Sequence, residues 1–167
     1  LPDNFLLTVV MPVYNEEGTL REIVDAVLCE ATRKELILVD DGSVDSSRAI
    51  LTELAQVPNV RVIEHDKNRG KGAALRTGFA AAVGDVVIVQ DADLEYDPSE
   101  YAVLLAPVIR GDADVVYGSR YLVDEQDPAR DRDSFLHYLG NRALTFMSNL
   151  ATGLNLTDME TCYKCFR

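Results

Sequence analysis

Short runs of apolar residues alternate with longer segments of helical character along this 167-residue chain. The apolar runs are nearly continuous in Val, Ile and Leu, as in residues 86–89, which is typical of strands buried on both faces of a sheet. Between the runs, apolar residues recur at helical spacing, as Leu20, Ile23 and Val27 do. This alternation predicts βαβ units and therefore an α/β, Rossmann-like fold, with a mostly parallel central sheet and helices on both faces.

The expected elements follow one another without an interdomain linker or an internal repeat. Strands are expected at 6–11, 36–39, 60–63, 86–90 and 115–117, with a strand-like stretch at 162–167. Helices are expected at 18–30, 45–56, 70–83, 98–109 and 134–152. The chain is therefore expected to be a single domain over residues 1–167 that belongs to a longer protein and is cut short at its carboxyl end.

The formal net charge of −12 restricts the possible partners. Because the chain has no basic tract that could release counterions, nucleic acid is not expected as a partner. A protein this acidic needs a metal ion or a few well-placed cations to bind phosphate groups. No apolar stretch is long enough to span a bilayer, so membrane contact is expected only through a lipid substrate or through segments beyond this chain.

The three cysteines, Cys29, Cys162 and Cys165, are sparse and odd in number, which suggests a reducing, cytosolic setting. The spacing of Cys162 and Cys165 occurs in redox and zinc sites. A redox pair usually opens a helix after a strand, and zinc requires two further ligands. Neither context is visible, so we interpret these cysteines as isolated thiols.

The most informative polar motif is Asp91-Ala92-Asp93, which directly follows the apolar run 86–90. Ligands of open parallel sheets bind at the carboxyl ends of the strands. Two carboxylates this close repel each other unless a positive group lies between them. The simplest candidate is Mg²⁺ or Mn²⁺, shared with a substrate phosphate. The alternative is that both carboxylates only cap the following turn.

Polar residues also follow the first two strands, and we expect them at the same edge of the sheet. Tyr14 offers a flat face on which a nucleobase can stack. Asp40 or Asp41 could accept a hydrogen bond from a base or a ribose hydroxyl, or could form only an acidic turn and helix cap.

A cationic, glycine-containing segment at 68–72 opens the third helix. Glycines, cations and a helix amino end attract phosphate, although this spacing is not that of a P-loop. Lys71 and Arg76 could bind phosphate or could be solvated helix charges. Arg120 follows the fifth strand and completes the set of groups expected at this edge.

Four of these motifs resemble those of family 2 glycosyltransferases of the GT-A fold. They are the segments 10–16, 39–45, 68–72 and 90–95. Within that family, the sequence resembles the polyprenyl-phosphate sugar synthases, which include the dolichyl-phosphate mannosyltransferases. The segments 118–120 and 158–164 are similar to bacterial members of that branch. The motifs stand in the order of the family over nearly the whole chain.

The resemblance implies a nucleotide pocket formed by Pro12, Tyr14 and Glu16 together with Asp40 and Asp41. We place Lys71 and Arg76 with these residues as candidates for binding the donor, because both are cations near a helix amino end.

The resemblance implies a diphosphate and metal site at Asp91 and Asp93, which Ala92 lines. We take Asp93 as the main catalytic candidate. Glu95 stands where some dolichyl-phosphate mannosyltransferases carry a metal-binding Gln, so it is expected as a further metal ligand. Arg120 matches a phosphate contact.

The activity that the resemblance implies is metal-dependent, inverting transfer of a sugar from GDP-mannose or a UDP-sugar to a polyprenyl phosphate. The metal, Mg²⁺ or Mn²⁺, would stabilise the leaving nucleoside diphosphate. A lipid phosphate is already ionised and needs no strong base. A saccharide hydroxyl as acceptor would need one, and Glu160 is the candidate, unless Glu160 makes only a structural contact. The full-length protein is expected at the cytoplasmic face of a membrane.

Three other classes of protein fit parts of the pattern. A receiver-like signalling domain also has acids at strand ends, but it would need a Lys where Arg120 stands. A nucleotidylyltransferase would have a Gly-rich, basic loop in place of residues 12–16. A sugar-nucleotide-binding module without turnover would share the binding residues.

Overall fold

The computed structural model of the protein describes residues 4–119 and 135–167. Its elements confirm the predicted alternation of strands and helices. In chain order they are β1 (Leu7–Val13), α1 (Leu20–Cys29), β2 (Lys34–Asp40), α2 (Ser47–Leu54), β3 (Val60–Glu64), α3 (Lys71–Ala81), β4 (Val86–Val89), α4 (Tyr101–Arg110), β5 (Val115–Tyr117), α5 (Phe135–Thr152) and β6 (Lys164–Phe166). A 3₁₀ turn, Pro98–Glu100, leads into α4.

The chain is divided into two compact units. The first unit contains the residues up to Val116 together with Cys165–Arg167, and the second runs from Tyr117 to Lys164. The first unit holds β1 to β4 and α1 to α4, and α5 lies in the second.

Six strands form a sheet in the order β3-β2-β1-β4-β6-β5. β1 pairs in parallel with β2 and with β4, and β2 pairs in parallel with β3. β4 pairs with β6 in the antiparallel direction, so the sheet is mostly parallel, as predicted. The strand order reverses direction at β1 and β4, and such a switch point is where ligands of open α/β sheets bind.

The central strands are covered on both faces. β1 is buried along its length except at Pro12, which is half-buried. Because successive side chains of a strand point to opposite faces, burial of both sets requires cover on each side of the sheet. Ile37 and Val39 of β2 form a buried cluster with Ala74 of α3.

Small side chains allow α3 to approach the sheet closely. Its buried residues are Ala73, Ala74 and Gly78, and the helix packs on β1 and β2. A Cβ atom built at Gly78 would lie 2.3 Å from Cγ1 of Val10. Gly78 therefore sets the separation of α3 from β1.

Two predicted strand ends are corrected by the structure, because Pro12 and Asp40 lie inside strands and not after them. The carbonyl of Val10 accepts from the N–H of Gln90 at 3.0 Å, on the side of β4. Pro12 faces the same side, two residues on, and has no N–H with which to continue the ladder. Pairing of β1 with β4 ends at Val10 and Val89, so the chain separates from β1 at residue 90.

We expect Gly78→Ala to lower the free energy of unfolding by up to about 2 kcal/mol. Alanine gains about 1 kcal/mol of helix propensity, but overpacking against Val10 costs about 1–3 kcal/mol. Urea denaturation measures the difference. The matched control is Gly72→Ala in the same helix, where a Cβ meets nothing within 4 Å and stability should rise. If both variants are stabilised, Gly78 does not set the packing distance.

Candidate active site

A cavity of about 280 Å³ lies at the carboxyl ends of β1, β2 and β4, within the first unit. We call it the carboxyl-edge cavity. Its lining residues are Pro12, Val13, Tyr14, Glu16, Asp41, Asn68, Lys71, Asp91, Ala92 and Asp93. The structure thus brings together most of the residues that the sequence places in the site, from four separate segments of the chain.

Hydrogen bonds join the loop after β1 to the loop after β2. The N–H of Asn15 donates to Oγ of Ser43 at 3.0 Å, and Oδ1 of Asn15 accepts from the N–H of Val44 at 2.8 Å. The N–H of Glu16 donates to Oγ of Ser47 at 2.8 Å. Because these bonds fix the first loop, the side chain of the preceding Tyr14 is held at the cavity, 45% exposed.

Asp40 does not line the cavity. Its carboxylate is fully buried, accepts from the N–H of Ser43 at 2.9 Å and contacts Nε of Arg48 at 3.2 Å. Of the two roles open to this residue, the structure supports the turn contact. Direct contact with a nucleotide is not supported by this placement.

Asp41 lines the cavity and is held by a buried network. Its carboxylate accepts from the N–H groups of Arg69 and Gly70, the latter at 2.7 Å. Oδ1 lies 2.6 Å from Nδ1 of His65, whose Nε2 lies 2.9 Å from Oγ1 of Thr77. Burial opposes ionisation, but the hydrogen bonds from His65, Arg69 and Gly70 outweigh it and lower the pKa of Asp41.

His65 is a site residue that the sequence analysis missed. It is buried and directly follows the carboxyl end of β3. Most of the other candidate site residues are predicted because they too follow the carboxyl ends of strands. A single His after a half-buried strand gave no pattern of its own, and only its contacts with Asp41 and Thr77 reveal its place.

Gly42 brings the loop after β2 against the segment before α3. Its φ is +76°, and a built Cβ would lie 2.6 Å from the carbonyl carbon of Lys67 and 2.7 Å from N of Asn68. No side chain fits this contact between two backbones. The contact allows Asp41 to reach the N–H groups of Arg69 and Gly70.

The positive group beside Asp91 is a side chain of the chain itself. Nζ of Lys71 lies 2.7 Å from Oδ1 and 2.8 Å from Oδ2 of Asp91. Asp91 is 7% exposed, so this ammonium compensates a nearly buried charge. Arg76, on the same helix, is exposed and does not line the cavity.

Asp93 lines the cavity and is exposed. One of its oxygens accepts a hydrogen bond from the N–H of Glu95 at 3.0 Å, so part of the hydrogen-bonding capacity of this carboxylate stabilises the turn. Glu95 is exposed and is not among the lining residues. Among residues 4–119 and 135–167, no three His, Cys, Asp or Glu side chains form a group that could hold a metal ion.

The donor set nevertheless fits a hard divalent cation bound jointly with a phosphate. Asp91 and Asp93 present carboxylate oxygens to one cavity, as Mg²⁺ and Mn²⁺ prefer. Such ions commonly use one or two carboxylates and take further ligands from substrate phosphates and water. The cavity therefore offers part of a coordination sphere.

The two remaining predicted site residues, Arg120 and Glu160, come later in the chain. Arg120 is outside the described residues. Glu160 lies in the second unit, is exposed, and donates its backbone N–H to Oδ1 of the buried Asp158 at 3.2 Å. Its predicted role as a base is not tested by this contact.

The cysteines are free thiols, as interpreted from the sequence. Burial raises the pKa of Cys165 to about 12, so its thiol stays protonated at neutral pH and is a poor nucleophile or metal ligand.

A six-stranded, mostly parallel sheet with an acidic cavity at its switch point is the arrangement of the GT-A glycosyltransferase fold. The chain belongs to the glycosyl transferase family 2, whose family model matches residues 8–167. This match confirms the predicted family and shows the receiver-like and nucleotidylyltransferase alternatives to be wrong.

Curated relatives extend the similarity. The chain is 36% identical over 167 residues to an undecaprenyl-phosphate 4-deoxy-4-formamido-L-arabinose transferase of Pectobacterium carotovorum subsp. carotovorum (strain PC1), covering 96% of this chain and 48% of the relative. The protein of the same name in Proteus mirabilis (strain HI4320) is 36% identical over 168 residues, with the same coverage. The chain thus spans about half the length of these relatives, and the predicted resemblance to polyprenyl-phosphate sugar transferases is confirmed.

Solved structures agree with the fold. The mannosyltransferase PcManGT from Pyrobaculum calidifontis, in complex with GDP-Man and Mn²⁺, is 28% identical with a TM-score of 0.54, over 65% of this chain and 32% of that one. Glucosyl-3-phosphoglycerate synthase from Mycobacterium tuberculosis has a TM-score of 0.65 at 23% identity, over 98% of this chain and 57% of that one.

No helix in the described parts of the chain combines the length and apolar character required to cross a bilayer.

We expect Asp41→Asn to lower the free energy of unfolding by about 1–3 kcal/mol at neutral pH, because an amide cannot accept from every donor that the carboxylate serves. The pKa of Asp41 is lowered from its ordinary value of 3.8. The contribution of the carboxylate is therefore present above that value and is lost as the pH falls through the lower folded pKa. Urea denaturation at pH 7 and below pH 3.8 should show the difference between the two proteins narrowing in acid.

The control for this comparison is Asp112→Asn, which changes an exposed carboxylate paired with Arg110 and should alter stability by less than about 0.5 kcal/mol. If the free energies of unfolding of the wild type and of Asp41→Asn differ by the same amount at both pH values, the ionised carboxylate does not have the proposed role.

Proposed function

We propose that this chain is the GT-A catalytic domain, or its larger part, of an inverting glycosyltransferase that moves a sugar from a nucleoside-diphosphate sugar to a polyprenyl phosphate. The observation that carries the proposal is the carboxyl-edge cavity, where Tyr14, Lys71, Asp91 and Asp93 meet in a family 2 chain. The curated relatives are named undecaprenyl-phosphate 4-deoxy-4-formamido-L-arabinose transferases, and this name supports the lipid acceptor.

The donor is proposed to enter with its base on Tyr14 and its diphosphate towards Asp91 and Asp93. The half-exposed ring of Tyr14 offers a stacking surface at one side of the cavity. Pro12 and Glu16 lie beside it, and Asp41 holds the loop that carries Lys71. UDP-linked and GDP-linked sugars both satisfy these contacts, and PcManGT, a structural neighbour, was solved with GDP-Man.

Mg²⁺ or Mn²⁺ is proposed at the oxygens of Asp91 and Asp93, where it would neutralise charge on the leaving diphosphate. Asp93 has the more accessible carboxylate of the two and is our candidate for the principal ligand. Lys71 adds a cation at the same place. Glu95 remains a proposed ligand on the basis of sequence alone, as Arg120 remains a proposed phosphate contact.

An acceptor phosphate needs no general base at neutral pH, because its oxygen is already ionised. The chain's task is then to hold the donor, to exclude water from the sugar carbon and to place the acceptor opposite the leaving group. This suits a cavity in which Asp41 is occupied by His65, Arg69 and Gly70, and Asp91 by Lys71. Glu160 keeps its proposed role only if a hydroxyl is the acceptor.

The proposed place of the full-length protein is the cytoplasmic face of a membrane. A polyprenyl phosphate resides in a bilayer, while a nucleotide sugar is water-soluble. Membrane contact is proposed to arise through the acceptor or through the half of the relatives' length that this chain does not span.

The direct test is transfer by the purified full-length protein from labelled nucleotide sugars to undecaprenyl phosphate in the presence of Mn²⁺. We expect labelled lipid from the wild type and a loss of about 10²-fold or more in Asp93→Asn, since one charge stabiliser of a leaving group is commonly worth that much. Asp112→Asn, which changes an exposed carboxylate that does not line the cavity, is the matched control. Label in a water-soluble saccharide and none in the lipid would refute the acceptor assignment.

We expect Tyr14→Ala to weaken binding of UDP or GDP about tenfold, because stacking of a base on an aromatic ring is worth about 1–3 kcal/mol. Tyr14→Phe keeps the ring and should bind within about threefold of the wild type. Isothermal titration calorimetry with both nucleotides measures the affinities. Equal losses in both variants would place the hydroxyl, and not the ring, in contact with the nucleotide.

A further inference from the structure

The carboxyl-edge cavity has one cation for four acids. Among its described lining residues, Glu16, Asp41, Asp91 and Asp93 carry carboxylates and only Lys71 carries a positive charge. That charge is in contact with both oxygens of Asp91. A diphosphate that enters this cavity therefore meets four acids, and the one lysine that could attract it is already paired with Asp91.

The two partners differ in mobility and burial. The side chain of Asp91 is 10% exposed, and it follows the end of a central strand. The side chain of Lys71 is 48% exposed and stands at the first residue of α3, on a flexible four-carbon stem. If the pair separates, the ammonium is the partner that can move without disturbing the core.

One ammonium and one divalent cation cannot occupy the same pair of oxygens. Both are positive, and within a few ångströms they repel each other. The cation with two charges is attracted more strongly by Asp91 and Asp93 together. The released ammonium remains tethered at the cavity, where a phosphate is the strongest partner available.

From this geometry we infer that Lys71 is an exchangeable counter-ion. It neutralises Asp91 when the cavity is empty, gives up the carboxylate to a divalent cation, and then binds the phosphate of the donor. The inference rests on the proposed metal-assisted function and adds an order of binding to it. The metal binds first, because its binding frees the lysine that then holds the nucleotide. The nucleotide is thereby bound tightly only when the metal is in place.

The test uses Lys71→Met, which keeps the length of the side chain and removes its charge. By isothermal titration calorimetry, Mn²⁺ alone should bind about three- to fivefold more tightly to the variant, since the competing ion pair is partly exposed. At saturating Mn²⁺, UDP should bind the variant at least about threefold more weakly than it binds the wild type, because one partly exposed charged contact is lost. A merely structural role for Lys71 would weaken both steps, so the opposite signs separate the two explanations.

There are two matched controls. Lys71→Arg keeps the charge and should retain the wild-type affinity for Mn²⁺. Arg110→Met removes an exposed cation at the last residue of α4. If Lys71→Met does not fold, NMR of the Lys71 ammonium in the wild type serves instead. Titration with Mg²⁺ should then move its resonance towards that of a solvent-exposed lysine. An unmoved resonance would overturn the inference.

Unchanged or weaker Mn²⁺ binding by a folded Lys71→Met would also overturn it. If the wild type nevertheless requires Mn²⁺ to bind UDP, the proposed function stands and only the exchange fails. If neither protein binds Mn²⁺ and UDP binds equally well without it, the metal-assisted function fails together with the inference.

Discussion

Parallel pairing of β1 with both β2 and β4 is the constraint on which the rest of this structure depends. It places three carboxyl ends at one edge, so that residues more than fifty positions apart in the chain line the same cavity. Pro12 then ends the pairing with β4, because it has no N–H to offer. The chain from residue 90 leaves the sheet at that point, and Asp91 and Asp93 stand beside the opening.

Buried polar contacts hold the loops that complete this edge. Asp41 joins the segment before α3 to the end of β2. His65, which follows β3, and Thr77 of α3 extend this hydrogen-bond network. Close packing acts in the same direction, because Gly78 lets α3 lie near β1 and Gly42 lets two backbones touch. An acidic cavity with one lysine follows from these contacts, and its charge is suited to a ligand that arrives with its own cation.

Much of this was predictable from particular residues. Continuous apolar runs such as Val86–Val89 identify buried parallel strands, and the polar residues that follow them identify the edge where they meet. The sequence could not show how each acid is used. Asp40 and Asp41 are neighbours of one type, yet Asp40 is enclosed by Ser43 and Arg48 while Asp41 reaches the cavity. The difference arises from the alternation of side chains and from loops that come from elsewhere in the chain.

The sequence alone determined the fold class, the family and most of the residues that line the carboxyl-edge cavity, because hydrophobic periodicity and motifs are visible along the chain itself. Tertiary structure decided the partners. It paired the side chain of Lys71 with that of Asp91 and the ring of His65 with the carboxylate of Asp41, and it placed Arg76 outside the cavity. Such pairings depend on distances between segments that are remote in sequence, and those distances are fixed only when strands pair and helices pack.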